Sequence, residues 1–120
     1  MGKSNTLGAW GEEKAVRFLK RRGFTIVDRN FRCRFGEIDI IAEIDEYLVF
    51  VEVRLRKDTR YGNPEETVDW RKQQKLKLAA DYYLMTHEVE KDIRFDVVAL
   101  YAHNGEKTWP LPVKHIENAF

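Results

Sequence analysis

A chain of 120 residues that is 43% hydrophobic and 34% charged, with a net charge of +1, is sized for one domain over residues 1–120 that buries roughly two-thirds of its unfolded surface. It holds no apolar run of about eighteen residues that could span a bilayer. A charged amphipathic segment stands at the N-terminus where a secretory signal would be apolar, and a single cysteine, Cys33, rules out an internal disulfide. The expectation is a cytoplasmic globular protein without a membrane partner. His87, His103 and His115 lack metal-ligand spacing, which speaks against zinc.

Taken in order, Leu7, Trp10, Ala15, Phe18 and Leu19 recur at helical spacing and predict a first helix from about Asn5 to Arg22, closed by Gly23 in the left-handed position. Gly8 and Gly11 would weaken an exposed helix by up to about 1 kcal/mol each. They are expected to let another element approach near Trp10, with Glu12 or Glu13 pointing along that approach. Phe24 to Phe31 reads as a strand, followed by a basic turn, Arg32 to Phe35.

Two runs follow, Gly36 to Ala42 and Tyr47 to Arg56, rich in Ile, Val, Phe and Tyr and joined by the acidic segment Glu43 to Glu46. Each carries a carboxylate in mid-run, Asp39 and Glu52. If Asp45-Glu46 forms a two-residue turn, Asp39 lies opposite Glu52 and Glu37 opposite Arg54 on one face, while Ile38, Ile40, Val51 and Val53 face the other way into a core. Directly opposed like charges destabilise a sheet. A cation between them would relieve this, and Mg²⁺ suits one or two carboxylates while keeping several waters. A solvated polar face is the alternative for the same pattern.

Arg56 to Asn63 reads as a polar loop, with Pro64 in the first turn of a helix from about Glu65 to His87. Val68, Leu76, Ala79, Ala80, Tyr83 and Leu84 give that helix an apolar stripe, and Arg71, Lys72, Lys75 and Lys77 make its first half basic. Ile93 to Ala102 reads as a strand with its own carboxylate, Asp96. Strand, long helix and strand make a crossover that sets the two strands parallel. Thr108 to Val113 is expected to add a short edge strand, and the tail to dock Phe120 on the core. Basic residues flank the acidic centre: Lys20, Arg21, Arg22, Arg29, Arg32 and Arg34 on one side, Arg54, Arg56, Lys57 and Arg60 on the other. Such a distribution would let phosphates approach along the flanks. No phosphate-cradling glycine loop and no Gly-x-Ser-x-Gly elbow is present, which sets aside nucleotide hydrolysis and serine hydrolase chemistry.

Gly8-x-x-Gly11-Glu12, Gly36-Glu37-Ile38-Asp39-Ile40-Ile41-Ala42, Phe50-Val51-Glu52-Val53-Arg54, Lys72, Arg94-Phe95-Asp96-Val97-Val98 and Asn118-Ala119-Phe120 together span nearly the whole chain. In these residues the chain resembles the YraN family of small bacterial proteins, within the PD-(D/E)XK nucleases and related to archaeal Holliday junction resolvases. The resemblance implies an α/β, restriction-endonuclease-like core in the order α-β-β-β-α-β, a mixed sheet flanked by helices. It further implies Asp39 and Glu52 as ligands of Mg²⁺ or Mn²⁺, Glu12 as an added carboxylate, and a lysine after Glu52 that assists the attacking water. Arg54 occupies that lysine position, and arginine keeps its charge where lysine can give up a proton. Lys72 is the candidate to project an ammonium into the same site instead.

The function implied is metal-dependent hydrolysis of DNA phosphodiesters, including branched DNA. Arg32, Arg34, Arg56, Lys57 and Arg60 are the expected nucleic-acid contacts, and a homodimer is expected by analogy with enzymes of two-fold symmetric junctions. The alternatives are a nucleic-acid-binding protein that keeps the fold without turnover, and a protein-interaction subunit whose carboxylates are structural.

Overall fold

The computed structural model describes residues 6–57 and 68–120. In chain order the elements are α1 (Thr6–Arg21), β1 (Thr25–Cys33), β2 (Gly36–Ile44), β3 (Tyr47–Arg56), α2 (Trp70–Thr86), β4 (Asp92–Tyr101) and β5 (Val113–Ile116). The five strands form one sheet in sequence order, antiparallel throughout except at β3 and β4, which run parallel across the α2 crossover. The fold is thus α/β with a mixed sheet, in the expected order with one strand added at the end. No helix among the described residues is long and apolar enough to cross a membrane.

A helix covers each face. Ala15, Val16 and Leu19 of α1 pack on Ile40, Ala42, Val49, Val51, Val98 and Leu100; Leu76, Ala79, Ala80 and Tyr83 of α2 pack on Ile38, Ile41, Leu48, Phe50, Phe95 and Val97. Because both faces of the central strands are buried, β4 reads as a nearly continuous apolar run instead of an alternating one. Phe120 stacks on Phe95 with ring centroids 5.4 Å apart, and the Ala119 N–H donates to the Phe95 carbonyl, so the tail closes the α2 side as expected.

α1 ends where the sequence predicts. The Phe24 N–H donates to the Leu19 carbonyl and the Gly23 N–H to that of Lys20, the paired bonds of a Schellman cap, with Gly23 at φ 95°. A side chain there would meet no neighbour but would strain the backbone, so Gly23→Ala should cost about 1 kcal/mol in urea unfolding with an unchanged slope.

Several boundaries move. The basic turn shortens to Arg34-Phe35, because Cys33 already pairs with Gly36 in the ladder. α2 starts at Trp70, where the Asp69 side chain accepts from the Lys72 N–H at 2.8 Å and caps the helix; the expected start at Glu65, Pro64 and most of the preceding loop lie outside the described residues. The last strand begins only at Val113. Pro110 and Pro112 have no N–H to give a ladder, and residues 108–112 form a loop after the short 3₁₀ turn Gly105–Lys107. At Gly11 it is the sheet that comes close: a Cβ there would stand 3.5 Å from Leu55 and Leu100, ordinary contact, while Trp10 stays partly exposed.

One ion network ties the far edge together. Asp96, fully buried, accepts from Arg94 Nε and Nη2 at 2.9 Å each, from His115 Nε2 at 2.8 Å and from the Asn118 N–H at 2.9 Å. Those bonds link β4, β5 and the tail around one carboxylate. They outweigh its burial and hold its pKa below the ordinary aspartate value.

Candidate metal centre

The hairpin turn at Asp45-Glu46 sets the register. Asp45 takes φ 51°, and the β2–β3 ladder runs from Ile44↔Tyr47 to Ile40↔Val51. It stops there. One step further the Val53 N–H donates to Asp39 Oδ2 at 2.9 Å, so a side-chain carboxylate takes the place of the next backbone acceptor. β2 also turns over at this point, since Ile38 packs on the α2 side with Ile41 while Ile40 packs on the α1 side. The expectation that Ile38 shares a face with Ile40 is corrected: alternation holds only while the strand stays in its ladder.

Asp39 and Glu52 meet where the strands part, close enough that each side chain shifts the titration of the other. Glu52 is 6% exposed. Burial and the charge of Glu52 push Asp39 up to about 7 against the pull of the Val53 N–H. Burial likewise raises Glu52, although the Lys72 and Arg54 charges oppose it. Two buried carboxyls side by side both resist ionisation, chiefly because burial strips their charged forms of water.

The cations stand on the Glu52 side. Arg54 Nε lies 3.4 Å and Lys72 Nζ 3.8 Å from Glu52 Oε2, one from the same strand and the other from the first turn of α2. The capped start of α2 at Asp69 is what brings Lys72 to the end of β3. Lys72, the helical lysine named in the sequence, thus stands beside Glu52.

On the α1 side a cavity of about 410 Å³ opens onto Asp39, lined among others by Gly8, Gly11, Glu12, Asn30 and Glu37. Glycines at 8 and 11 leave that wall without bulk. Glu12 faces the cavity, yet its Oε1 accepts from Arg29 Nη2 at 3.1 Å and from Asn30 Nδ2 at 3.0 Å. Its charge adds slightly to the rise at Asp39. Glu37, expected against Arg54, pairs instead with Arg32 Nε at 3.0 Å, because Arg32 is its ladder partner on β1 and the β2–β3 ladder has already ended. Arg29 and Asn30 were not read from the sequence as part of the site. Asparagine in mid-strand was the available signal: Asn30 adopts φ 54°, a conformation asparagine tolerates better than most residues.

The expected nucleic-acid contacts scatter. Arg32 borders the cavity, the Arg34 guanidinium sits 4.9 Å over the Phe35 ring at the β1–β2 turn, Arg56 is partly buried at the end of β3 with Lys57 exposed beyond it, and Arg60 lies outside the described residues.

Among the described residues no three acids, histidines or cysteines converge as a ready-made metal cage. Two hard oxygen donors do converge, and their burial makes the doubly ionised pair costly unless a cation joins it. That donor set fits an octahedral ion which takes two protein carboxylates and retains water. Asp39 and Glu52 would hold it.

The class is thereby defined: an α/β domain whose central hairpin splays around paired carboxylates, backed by an arginine from the strand and a lysine from a helix. The model of the Uncharacterised protein family UPF0102 matches residues 11–100. The chain is 45% identical over 115 residues to a UPF0102 protein of Syntrophomonas wolfei, covering 95% of this chain and 96% of that one. It is 44% identical over 114 residues to one of Persephonella marina, covering 94% and 91%, and 44% identical over 114 residues to one of Thermodesulfovibrio yellowstonii, covering 95% of each. The chain belongs to the UPF0102 family, also called YraN.

Proposed function

We propose that this protein is a divalent-metal-dependent endonuclease acting on DNA, with Asp39 and Glu52 as the metal ligands. The observation that carries the reading is the juxtaposition of two pKa-raised carboxyls at a strand splay with Arg54 and Lys72 beside them. Phosphodiester hydrolysis requires charge neutralisation at the phosphate and an activated water, and a bound Mg²⁺ or Mn²⁺ supplies both.

The chain's own groups divide the remaining work. The Val53 N–H fixes Asp39 through its Oδ2. Arg54 stays cationic at any working pH, so it neutralises developing charge on a phosphate oxygen and accepts no proton. Lys72, with its ammonium 3.8 Å from Glu52, is the group that can donate to and orient the attacking water. Glu12, held by Arg29 and Asn30, shapes the α1 wall and adds negative potential without entering the ligand set. Branched DNA is the substrate that the family resemblance favours.

Purified protein with Mn²⁺ and labelled duplex, single-stranded and four-way substrates tests the reading. Cleavage lost in Asp39→Ala with Glu52→Ala is the expected result; cleavage that survives the double change would come from a contaminant and refute it. Lys72→Met should slow cleavage by about 10²-fold, the low end of what a positioned acid or base contributes. An unchanged rate would remove Lys72 from the chemistry. A second reading, a nucleic-acid-binding protein on the same fold without turnover, is favoured by arginine at the lysine position. It predicts Mn²⁺ binding and salt-dependent DNA binding with no cleavage of any substrate.

A further inference from the structure

α1 has two working edges. Positions 8, 11 and 12 face the carboxylate cavity, whereas Trp10, Lys14, Arg17 and Arg21 form a stripe at four-, three- and four-residue spacing along a different edge. That stripe walls a second cavity, of about 320 Å³, whose opposite rim is the loop carrying Lys107 and Trp109. Trp109 is 88% exposed, the most exposed large apolar side chain among the described residues. Its loop is nevertheless well held: buried Thr108 Oγ1 accepts from the Asn104 N–H and donates to the Gly105 carbonyl, both at 2.8 Å. Four cations line this groove against one acid, Glu106. Lys14 Nζ lies 5.8 Å over the Trp10 ring, and the side chains of Arg21 and Lys107 form no ion pair among the described residues.

We infer that this groove binds single-stranded nucleic acid, with a base stacked on Trp109 and phosphates following the Lys14, Arg17 and Arg21 edge of α1. An exposed indole on a fixed turn loses little freedom when a flat partner stacks on it, and every base presents such a face. The cations recur along one helix edge as phosphates recur along a strand, so the groove matches a repeating anion better than a lone one. An acidic peptide would satisfy the charges but leave the indole without a flat partner. Both cavities border the start of α1, at positions 8, 9, 11 and 12 for one and at Trp10 for the other. The inference deepens the nuclease reading by giving its substrate a single-stranded arm, and it rests on that reading only for what happens at the carboxylates.

The test uses the full chain in EDTA, so that metal binding and cleavage play no part. Anisotropy of a labelled oligothymidylate of about a dozen nucleotides reports binding. Trp109→Ala, at an exposed position that threatens no packing, should weaken it about tenfold. Arg17→Glu with Arg21→Glu should weaken it at least as much and flatten the salt dependence by about 0.7 per lost phosphate contact. A blunt duplex of equal length should bind the wild-type and Trp109→Ala proteins alike. Oligonucleotide binding that is absent, that is indifferent to both variants, or that poly-glutamate displaces as well as unlabelled oligothymidylate does, would overturn the inference. If oligonucleotide binding depends on Trp109 but Mn²⁺ binding and cleavage are missing, the groove stands and the nuclease reading falls.

Discussion

Asp39→Asn should remove cleavage and, in metal-free buffer above neutral pH, make the protein more stable. The first effect follows from the loss of a metal-ligand charge: transition-state stabilisation of roughly 4 kcal/mol corresponds to about 10³-fold in rate. The second follows from the raised pKa. A carboxyl whose folded value is about 7 instead of 3.8 contributes its full stability only below the unfolded value, and that contribution drains away as pH rises toward 7. The wild-type protein should therefore lose stability between about pH 4 and pH 7 through this group, while Asp39→Asn, which keeps an oxygen for the Val53 N–H, should not. At pH 8 the variant should be more stable by on the order of 2 kcal/mol, read by urea unfolding in EDTA. A variant less stable than wild type across the whole range would mean that the carboxylate pair is not strained by its own charge.

Asp96→Ala should do the reverse, costing about 3–5 kcal/mol with no direct effect on the carboxylate pair. Removing one member of a buried ion pair strands the other, and here the Arg94 guanidinium, His115 and the Asn118 N–H all lose their acceptor. The sign of its pH dependence is opposite to that of Asp39. Because the folded pKa is depressed, the wild-type contribution is whole above the ordinary value of 3.8 and is lost only as pH falls through the folded value. Urea denaturation from pH 7 down to pH 2 should show the gap between wild type and Asp96→Ala closing in acid. If the variant scarcely unfolds more easily at pH 7, the network contributes geometry without stability, as some buried ion pairs do.

The two predictions mark how differently two mid-strand carboxylates can be read. Asp39 and Glu52 were legible as a pair because a two-residue turn sets a hairpin register, and their raised pKa values agree with the tension that register implies. The parallel pairing of β3 with β4 was equally legible, since a long helix between two strands leaves no antiparallel route. Asp96 looked like the same kind of residue in sequence. Arg94 is its neighbour two residues back on β4, but His115 and Asn118 reach it only because β5 and the tail fold back, which no local pattern reveals. The partner of Glu37 was misread for a related reason: register extrapolated past Val51 holds only if the ladder continues, and Asp39 ends it. Lys72 was legible as a basic residue on the right helix, but its reach to Glu52 depends on the Asp69 cap that opens α2 at Trp70. The groove beside Trp109 was hidden because Pro110 and Pro112 read as strand punctuation, while its other wall, from Trp10 to Arg21, is the outer edge of a helix at the far end of the sequence and visible only once folded.

The claim on which the functional account depends is that Asp39 and Glu52 act together as a divalent-cation site. Isothermal titration of Mn²⁺ into the protein at pH 7.5 tests it most directly, with Asp39→Asn and Glu52→Gln measured alongside. One saturable binding event is expected in the wild-type protein and is lost in each variant, both still folded. Binding of equal strength in wild type and Asp39→Asn, or saturation absent from the wild type, would contradict it.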